Sequence, residues 1–258
     1  MSKRMVRLGA VALVVLGVAL LASPRSMVFG GLLVVAGGAL AWLQVRDGQL
    51  VTRYRQAVEN LGSDQAEVRI DGLHALEQIA KEAARSRVLV DDTIGDFLRE
   101  RSPWPTDQPP GQAGASPDVE KALAILLGRP GAAVDLSHVD LRGADLGKRE
   151  LAGAVARRSN LAGARLFGTC LDRCVLDATD LTQADLRGAS LREASLRVAH
   201  LEGADLRAAD LTDADLRGAD MRAVNLDKAV LTGARVNRGT LWPPDFTPAR
   251  VSASLFSD

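Results

Sequence analysis

Cysteine is the most reactive side chain in this chain, and it occurs twice, at Cys170 and Cys174. A structural zinc site needs four N or S ligands, and two Cys cannot build a disulfide framework. The three histidines, His74, His138 and His200, are scattered and offer no ligand pair. In a reducing compartment both thiols stay free. No nucleophile elbow, phosphate-binding loop or dinucleotide fingerprint occurs. No catalytic, cofactor-binding or metal-ligating residue is assigned, no cofactor is expected, and the chain reads as a non-enzyme. The remaining chemistry is charge. Arginines at 187, 192, 197, 207, 217 and 222 recur in step with aspartates at 185, 205 and 215. Such groups form ion pairs or meet an anion or a lipid headgroup; exposed pairs contribute little each.

That recurrence belongs to a period of five. From 136 to 241, leucine fills 19 of 22 slots, interrupted by Ala156, Met221 and Val236. Two residues before each slot alanine dominates, and an aspartate often stands one residue before. In an α-helix, steps of five rotate about 140° and spread the leucines around every face. In a strand, an odd period sends alternate leucines to opposite faces. A chain that turns a corner every five residues points all of them inward. Its coils stack about 4.8 Å apart and pair their amides. Only 3% of residues are aromatic, so Leu, Ala and Val must form the core. Burying each Leu contributes about 1.5–3 kcal/mol.

The pattern resembles the pentapeptide-repeat family, A(D/N)LXX. ADLRG stands at 184–188 and 214–218, variants begin at Ala144 and Ala204, and NLAGA fills 160–164. The resemblance implies an all-β repeat solenoid, a right-handed quadrilateral β-helix with four repeats per coil. The 22 slots would then give about five and a half coils, roughly 25 Å tall. Open ends expose leucines and unpaired amides. A helix before the repeat and the tail from Trp242 are expected to cover them. Arg149 and Ala156 depart from the pattern, and a bulge or outward excursion is expected over 149–160.

The N-terminus carries two uncharged runs, Leu8–Ala22 and Ser26–Val45, separated by Ser23-Pro24-Arg25. A membrane helix needs roughly 20 apolar residues, and Arg7 can snorkel to extend the first run. These read as a transmembrane α-hairpin. Lys3, Arg4, Arg7, Arg46, Arg53 and Arg55 flank its two ends, which places both termini in the cytoplasm. The rival is a cleaved signal peptide, but Leu20 would then stand where a small residue is preferred. Glycines 30, 31, 37 and 38 allow close helix packing and leave a homo-oligomer open.

A small α-helical module follows. Leu50, Tyr54, Val58 and Leu61 share one face, with Gly62 closing the helix. Asp64 and Glu67 read as a capping pair for the next helix, whose stripe is Leu73, Leu76, Ile79, Ala80 and Ala83. A third helix carries Val90, Ile94, Phe97 and Leu98. The Pro- and Gly-rich stretch 102–115 reads as a loop. Ser116 and Pro117 start a fourth helix that stops at Gly128.

The expected organisation is therefore a transmembrane hairpin over 1–46, an amphipathic helical linker module over 47–130, a β-helix over 131–242 and a C-terminal cap or tail over 243–258. The expected location is the cell inner membrane, with two spans. The expected partners are membrane lipids through residues 6–45 and an unidentified cytoplasmic protein bound by a rigid, non-enzymatic scaffold. Lys and Arg total 32, as do Asp and Glu, and within 131–241 each total is 16. A dedicated nucleic-acid binder would be basic. Some members of the family resemble DNA and bind topoisomerases through an acidic β-helix; that reading, or an oligomeric membrane assembly, is the alternative. A neutral rod imitates a duplex poorly, because DNA carries one negative charge per roughly 1.7 Å.

Overall fold

The computed structural model describes residues 48–105, 116–128, 134–222, 226–244 and 246. The predicted hairpin over 1–46 and its glycines lie outside them. Among the described residues, no helix is long and apolar enough to cross a membrane. The chain divides into two compact units, Met1–Glu100 and Arg101–Asp258.

In the first unit, α1 (Gly48–Leu61), α2 (Ala66–Glu82) and most of α3 (Arg87–Arg101) are described. The apolar stripes read from the sequence are buried: Tyr54, Leu61, Leu73, Leu76, Ile94 and Leu98 are almost fully inaccessible. Gly72 lets α2 approach α1 closely, because a Cβ there would lie 2.8 Å from the carbonyl oxygen of Ala57. The Tyr54 hydroxyl meets Thr93 Oγ1 at 2.5 Å, which satisfies the one polar atom of a buried ring. The capping expectation at Asp64 is corrected. Gln65 is the N-cap residue of α2, without a side-chain cap. Instead the buried Arg69 donates from Nη1 to the Ser63 carbonyl at 2.8 Å, tying the turn to the helix.

The second unit is the repeat. Parallel bridges join each outward residue to the one 20 positions later, from Asp135 with Val155 through Asp215 with Arg235. Four repeats of five therefore make one coil. Each slot residue donates to the coil above, as Leu186 N does to the Asp205 oxygen at 2.9 Å. Each corner closes on itself, as Ala189 N does on the Leu186 oxygen at 3.0 Å. The third residue of that turn has positive φ, as in Gly188 at 64°, which is the type II geometry. Slot leucines from Leu181 to Leu216 are fully buried, as are the small residues two before them.

Two expectations for the repeat are corrected. The first concerns 149–160, where the ladder runs without a bulge: Glu150 bridges Cys170, Val155 bridges Val175, and Ala156 is buried in the slot. Arg149 is accommodated because it lies in the first coil, at a cleft shared with Glu120, Lys121 and Ala124 of α4 (Pro117–Leu127). Its guanidinium has a route out that a mid-rod arginine would lack. The second concerns Leu241. It pairs with Asp220, 21 residues back rather than 20, so the count has slipped by one. Thr240 takes the inward small-residue position and Leu241 is 49% exposed. The extra residue is absorbed in the turn at 237–240, where Asn237 Oδ1 accepts from Gly218 N at 2.9 Å.

The first coil is covered by the chain that precedes it. The stretch read as a loop contains a short strap: Pro103 bridges Val139 antiparallel, and Asp140 N donates to the Ser102 oxygen at 2.7 Å. The strap occupies amides that would otherwise form an open edge. The fourth helix falls in the unit of the repeat, not in a helical module ending at 130. Ser116 precedes it and Gly128 ends it, as read from the sequence, though Ser116 makes no side-chain cap. Beyond the last coil, Trp242 stacks on Phe246 with centroids 4.9 Å apart. The rest of the predicted tail lies outside the described residues.

Candidate functional site

Inward positions are filled by the chain itself, so any binding chemistry lies on the outward positions. Each repeat presents the residue before the slot and the two after it. The residue before is often Asp, and its carboxylate accepts from the backbone amide two residues on, as Asp205 Oδ1 does from Arg207 N at 3.2 Å. Where an arginine follows the slot, its guanidinium folds back onto the same carboxylate. This gives pairs of 2.6 Å at Asp140–Arg142, Asp185–Arg187, Asp205–Arg207, Asp215–Arg217 and Asp220–Arg222. The hydrogen bonds hold the Asp185, Asp205, Asp215 and Asp220 carboxyls below the usual carboxylate range. Between coils the pairing is looser, as in Arg187 Nε to Asp205 Oδ2 at 3.8 Å.

The Leu136 face differs. Its outward cations are Arg157, Arg158, Arg197, Arg217, Arg235 and Arg238, against Asp135, Asp177 and Asp215. Arg217 is held by Asp215, and Arg157 Nε approaches Asp177 Oδ2 only at 3.8 Å. Among the described residues, the guanidiniums of Arg158 and Arg197 make no hydrogen bond or ion pair. Asp177 is already engaged by Ser195 Oγ at 2.5 Å and by the Arg197 amide at 3.2 Å. These residues line a shallow groove of about 350 Å³ with His138 and Val198. The next coil leaves room there, since a Cβ on Gly218 would stand 3.4 Å from Val198 Cγ2.

The sequence of the repeat matches the family described as pentapeptide repeats (8 copies), over residues 135–173, 169–207 and 199–238. Residues 135–238 are thus similar to pentapeptide repeats. Pentapeptide repeats form a right-handed β-helix, which agrees with the coil described above. No curated protein matches the chain. Among solved structures, the pentapeptide-repeat protein Rfr23 from the cyanobacterium Cyanothece 51142 is 31% identical, over 35% of this chain and 65% of its own, with a TM-score of 0.21. HetL from Nostoc sp. strain PCC 7120, involved in heterocyst differentiation regulation, is 24% identical over 43% of this chain and 78% of its own, with a TM-score of 0.24. QnrB1, a plasmid-mediated fluoroquinolone resistance protein, is 16% identical over 50% and 79%, with a TM-score of 0.32. The chain thus spans about two thirds of Rfr23.

Within the repeat, the thiols occupy unequal positions. Cys174 fills an inward small-residue slot and donates to the Leu151 oxygen at 2.9 Å. Burial pushes its thiol up to about 12. Cys170 is half-buried, one residue before a slot, and desolvation raises its thiol as well. Among the described residues no group of His, Cys, Asp or Glu is arranged to hold a metal ion. His138 lines the groove, while His74 lies in the first unit and His200 stands on the Leu141 face. Sequence reading found the Arg–Asp pairs but missed the groove. A total of 16 cations and 16 anions concealed a face where cations predominate. Phe167, 44% exposed between Lys148 and Arg187, was also missed; both cations lie within 6 Å of its ring centroid.

Proposed function

We propose that the protein is a membrane-anchored scaffold that presents its pentapeptide-repeat rod to a protein partner in the cytoplasm. The observation that carries this reading is the rod itself. Its interior is occupied by its own Leu and Ala side chains, and each coil is hydrogen-bonded to the next. What it offers is a stiff outward surface, and a stiff surface loses little conformational entropy on binding. Pentapeptide-repeat proteins are generally structural or binding proteins rather than enzymes. The anchor rests on the two uncharged runs, Leu8–Ala22 and Ser26–Val45, and on the basic residues that flank them. The location proposed is the inner membrane, with both termini on the cytoplasmic side.

Proximity labelling from the C-terminus in intact membranes tests the reading. It predicts a reproducible set of cytoplasmic neighbours and fractionation with the membrane. Recovery of periplasmic neighbours, or of none above a free-label control, overturns it. The rival reading, a DNA mimic that binds topoisomerases, predicts inhibition of supercoiling by the purified chain. The arginine-rich Leu136 face weighs against it, because a duplex presents no such surface.

A further inference from the structure

We infer that the groove on the Leu136 face is a docking site for an acidic peptide segment of a partner protein, with Arg157, Arg158 and Arg197 as its anion contacts and Val198 as its apolar contact. This rests on the scaffold reading and names the chemistry of the partner. The first support is charge. Five arginines of the rod, Arg217 of this face among them, fold onto an aspartate of their own repeat at 2.6 Å, and Arg165 and Arg192 on other faces reach an aspartate of another coil at 3.1 and 3.4 Å. The guanidiniums of Arg158 and Arg197 are exposed and make no hydrogen bond or close ion pair among the described residues, Arg197 feeling only the longer-range attraction of Asp215, and Arg157 has only a 3.8 Å contact. Guanidiniums held in this way are available for bidentate carboxylate recognition.

The second support is backbone conformation. The turn residue at each corner has positive φ, which glycine adopts without cost. On the Leu136 face four successive coils use other residues: His138 at 63°, Arg158 at 52°, Ala178 at 55° and Val198 at 57°. On the Leu141 face the same position is Gly143, Gly163, Gln183 and Gly203, while on the Leu151 face Arg173, Glu193 and Asp213 also take it. A β-branched residue in the left-handed region is an outlier. Val198 is also 56% exposed, so burial does not compensate. Val198 is the one β-branched residue among the described non-glycine residues with positive φ, and strain retained at such a surface position points to a function. Here it places an apolar side chain beside Arg197 of its own coil.

The shape fits a peptide better than a membrane surface. Arg157 and Arg197 are two coils apart, about 10 Å at the sheet spacing. Acidic side chains two to four residues apart on an extended peptide span about 7–13 Å. A flat anionic bilayer would meet the whole face, including Asp135 and Asp215, which oppose it, whereas the carboxylate inside the groove, Asp177, is already engaged by Ser195 Oγ and the Arg197 amide. A short segment meets only the groove.

The test uses the full-length chain in detergent and a fluorescein-labelled octapeptide of six glutamates around a central Val-Leu pair, read by anisotropy. The wild type is expected to bind. R158Q/R197Q should weaken binding at least tenfold, while R187Q/R207Q on the opposite face should change it less than twofold. V198G should weaken binding and raise the melting temperature, since glycine relieves the backbone; a purely structural role for Val198 would not separate the two. No binding by the wild type, or equal losses for the two arginine pairs, overturns the inference. So does a melting temperature raised by phosphatidylserine nanodiscs through Arg158 and Arg197 without peptide binding, which assigns the groove to lipid. Proximity-labelling neighbours that persist unchanged in R158Q/R197Q overturn this inference alone and leave the scaffold standing. Absence of any neighbour in the wild type overturns the scaffold.

Discussion

The Asp185 carboxylate grips Arg187 of its own repeat with both oxygens: Nε donates to Oδ1 at 2.7 Å and Nη2 to Oδ2 at 2.6 Å. The same unit recurs at Asp205, Asp215 and Asp220. It turns a two-residue spacing into short surface ion pairs, those at Asp185 and Asp205 being one coil apart on the same face.

These pairs set an acid limit. Each carboxyl has a lower pKa folded than the unfolded value of about 3.9, because a guanidinium donates to its charged form. The folded state therefore binds fewer protons in that range. The pairs' contribution is complete above the unfolded pKa and is lost as pH falls through the folded values. The melting temperature is expected to hold from pH 8 to about 5 and to drop below about 4. Differential scanning fluorimetry across that range checks it; a decline centred near pH 6 would overturn it.

The slipped register at the C-terminal end separates two leucines that the period of five treats alike. Leu186 is fully buried, and Leu186→Ala should cost about 2–5 kcal/mol. Leu241 is 49% exposed, and Leu241→Ala should cost about 0.5 kcal/mol or less. Urea melts of the two variants decide between the registers. Equal losses would put Leu241 back in the core.

Cys174 shares its inward slot with hydroxyl residues that make the same bond. Thr169 Oγ1 donates to the Leu146 oxygen at 2.9 Å and Thr179 Oγ1 to the Ala156 oxygen at 2.6 Å. Cys174→Thr should therefore fold with a stability within about 1 kcal/mol of the wild type. Cys174→Leu overfills the slot and should cost about 1–3 kcal/mol or more. In the native chain a maleimide at pH 7.5 should modify Cys170 and spare Cys174, with mass spectrometry as the readout.

The strap over the first coil is a point of local opening. The Ser102 hydroxyl donates to the Asp140 oxygen at 2.6 Å, and the Asp140 amide returns a bond to the Ser102 oxygen. Ser102→Ala removes the first bond, for about 0.5–1.5 kcal/mol. Hydrogen exchange should then quicken at Asp140 and leave Asp180, in mid-rod, unchanged.

The period of five by itself determined the coil. Leucines at slots such as 181, 186, 191 and 196 have no common burial in a helix or a strand, so only a cornered chain accommodates them. The helical stripes at Tyr54 and Leu73 were legible for the related reason that burial at a period near 3.6 admits one backbone. Tertiary structure decided whatever depends on which residue lies above which. Leu241 keeps the sequence period and yet faces outward, because register is set by the amides that pair with Asp220 and not by the spacing of leucines. Arg149 is tolerated because α4 and an open cleft lie beside the first coil. The strap at Ser102 pairs residues almost forty apart, and no local pattern specifies such a contact. The groove emerged last. Arg157 and Arg197 are forty positions apart in a chain of zero net charge, and they come onto one face only when coils of twenty residues stack.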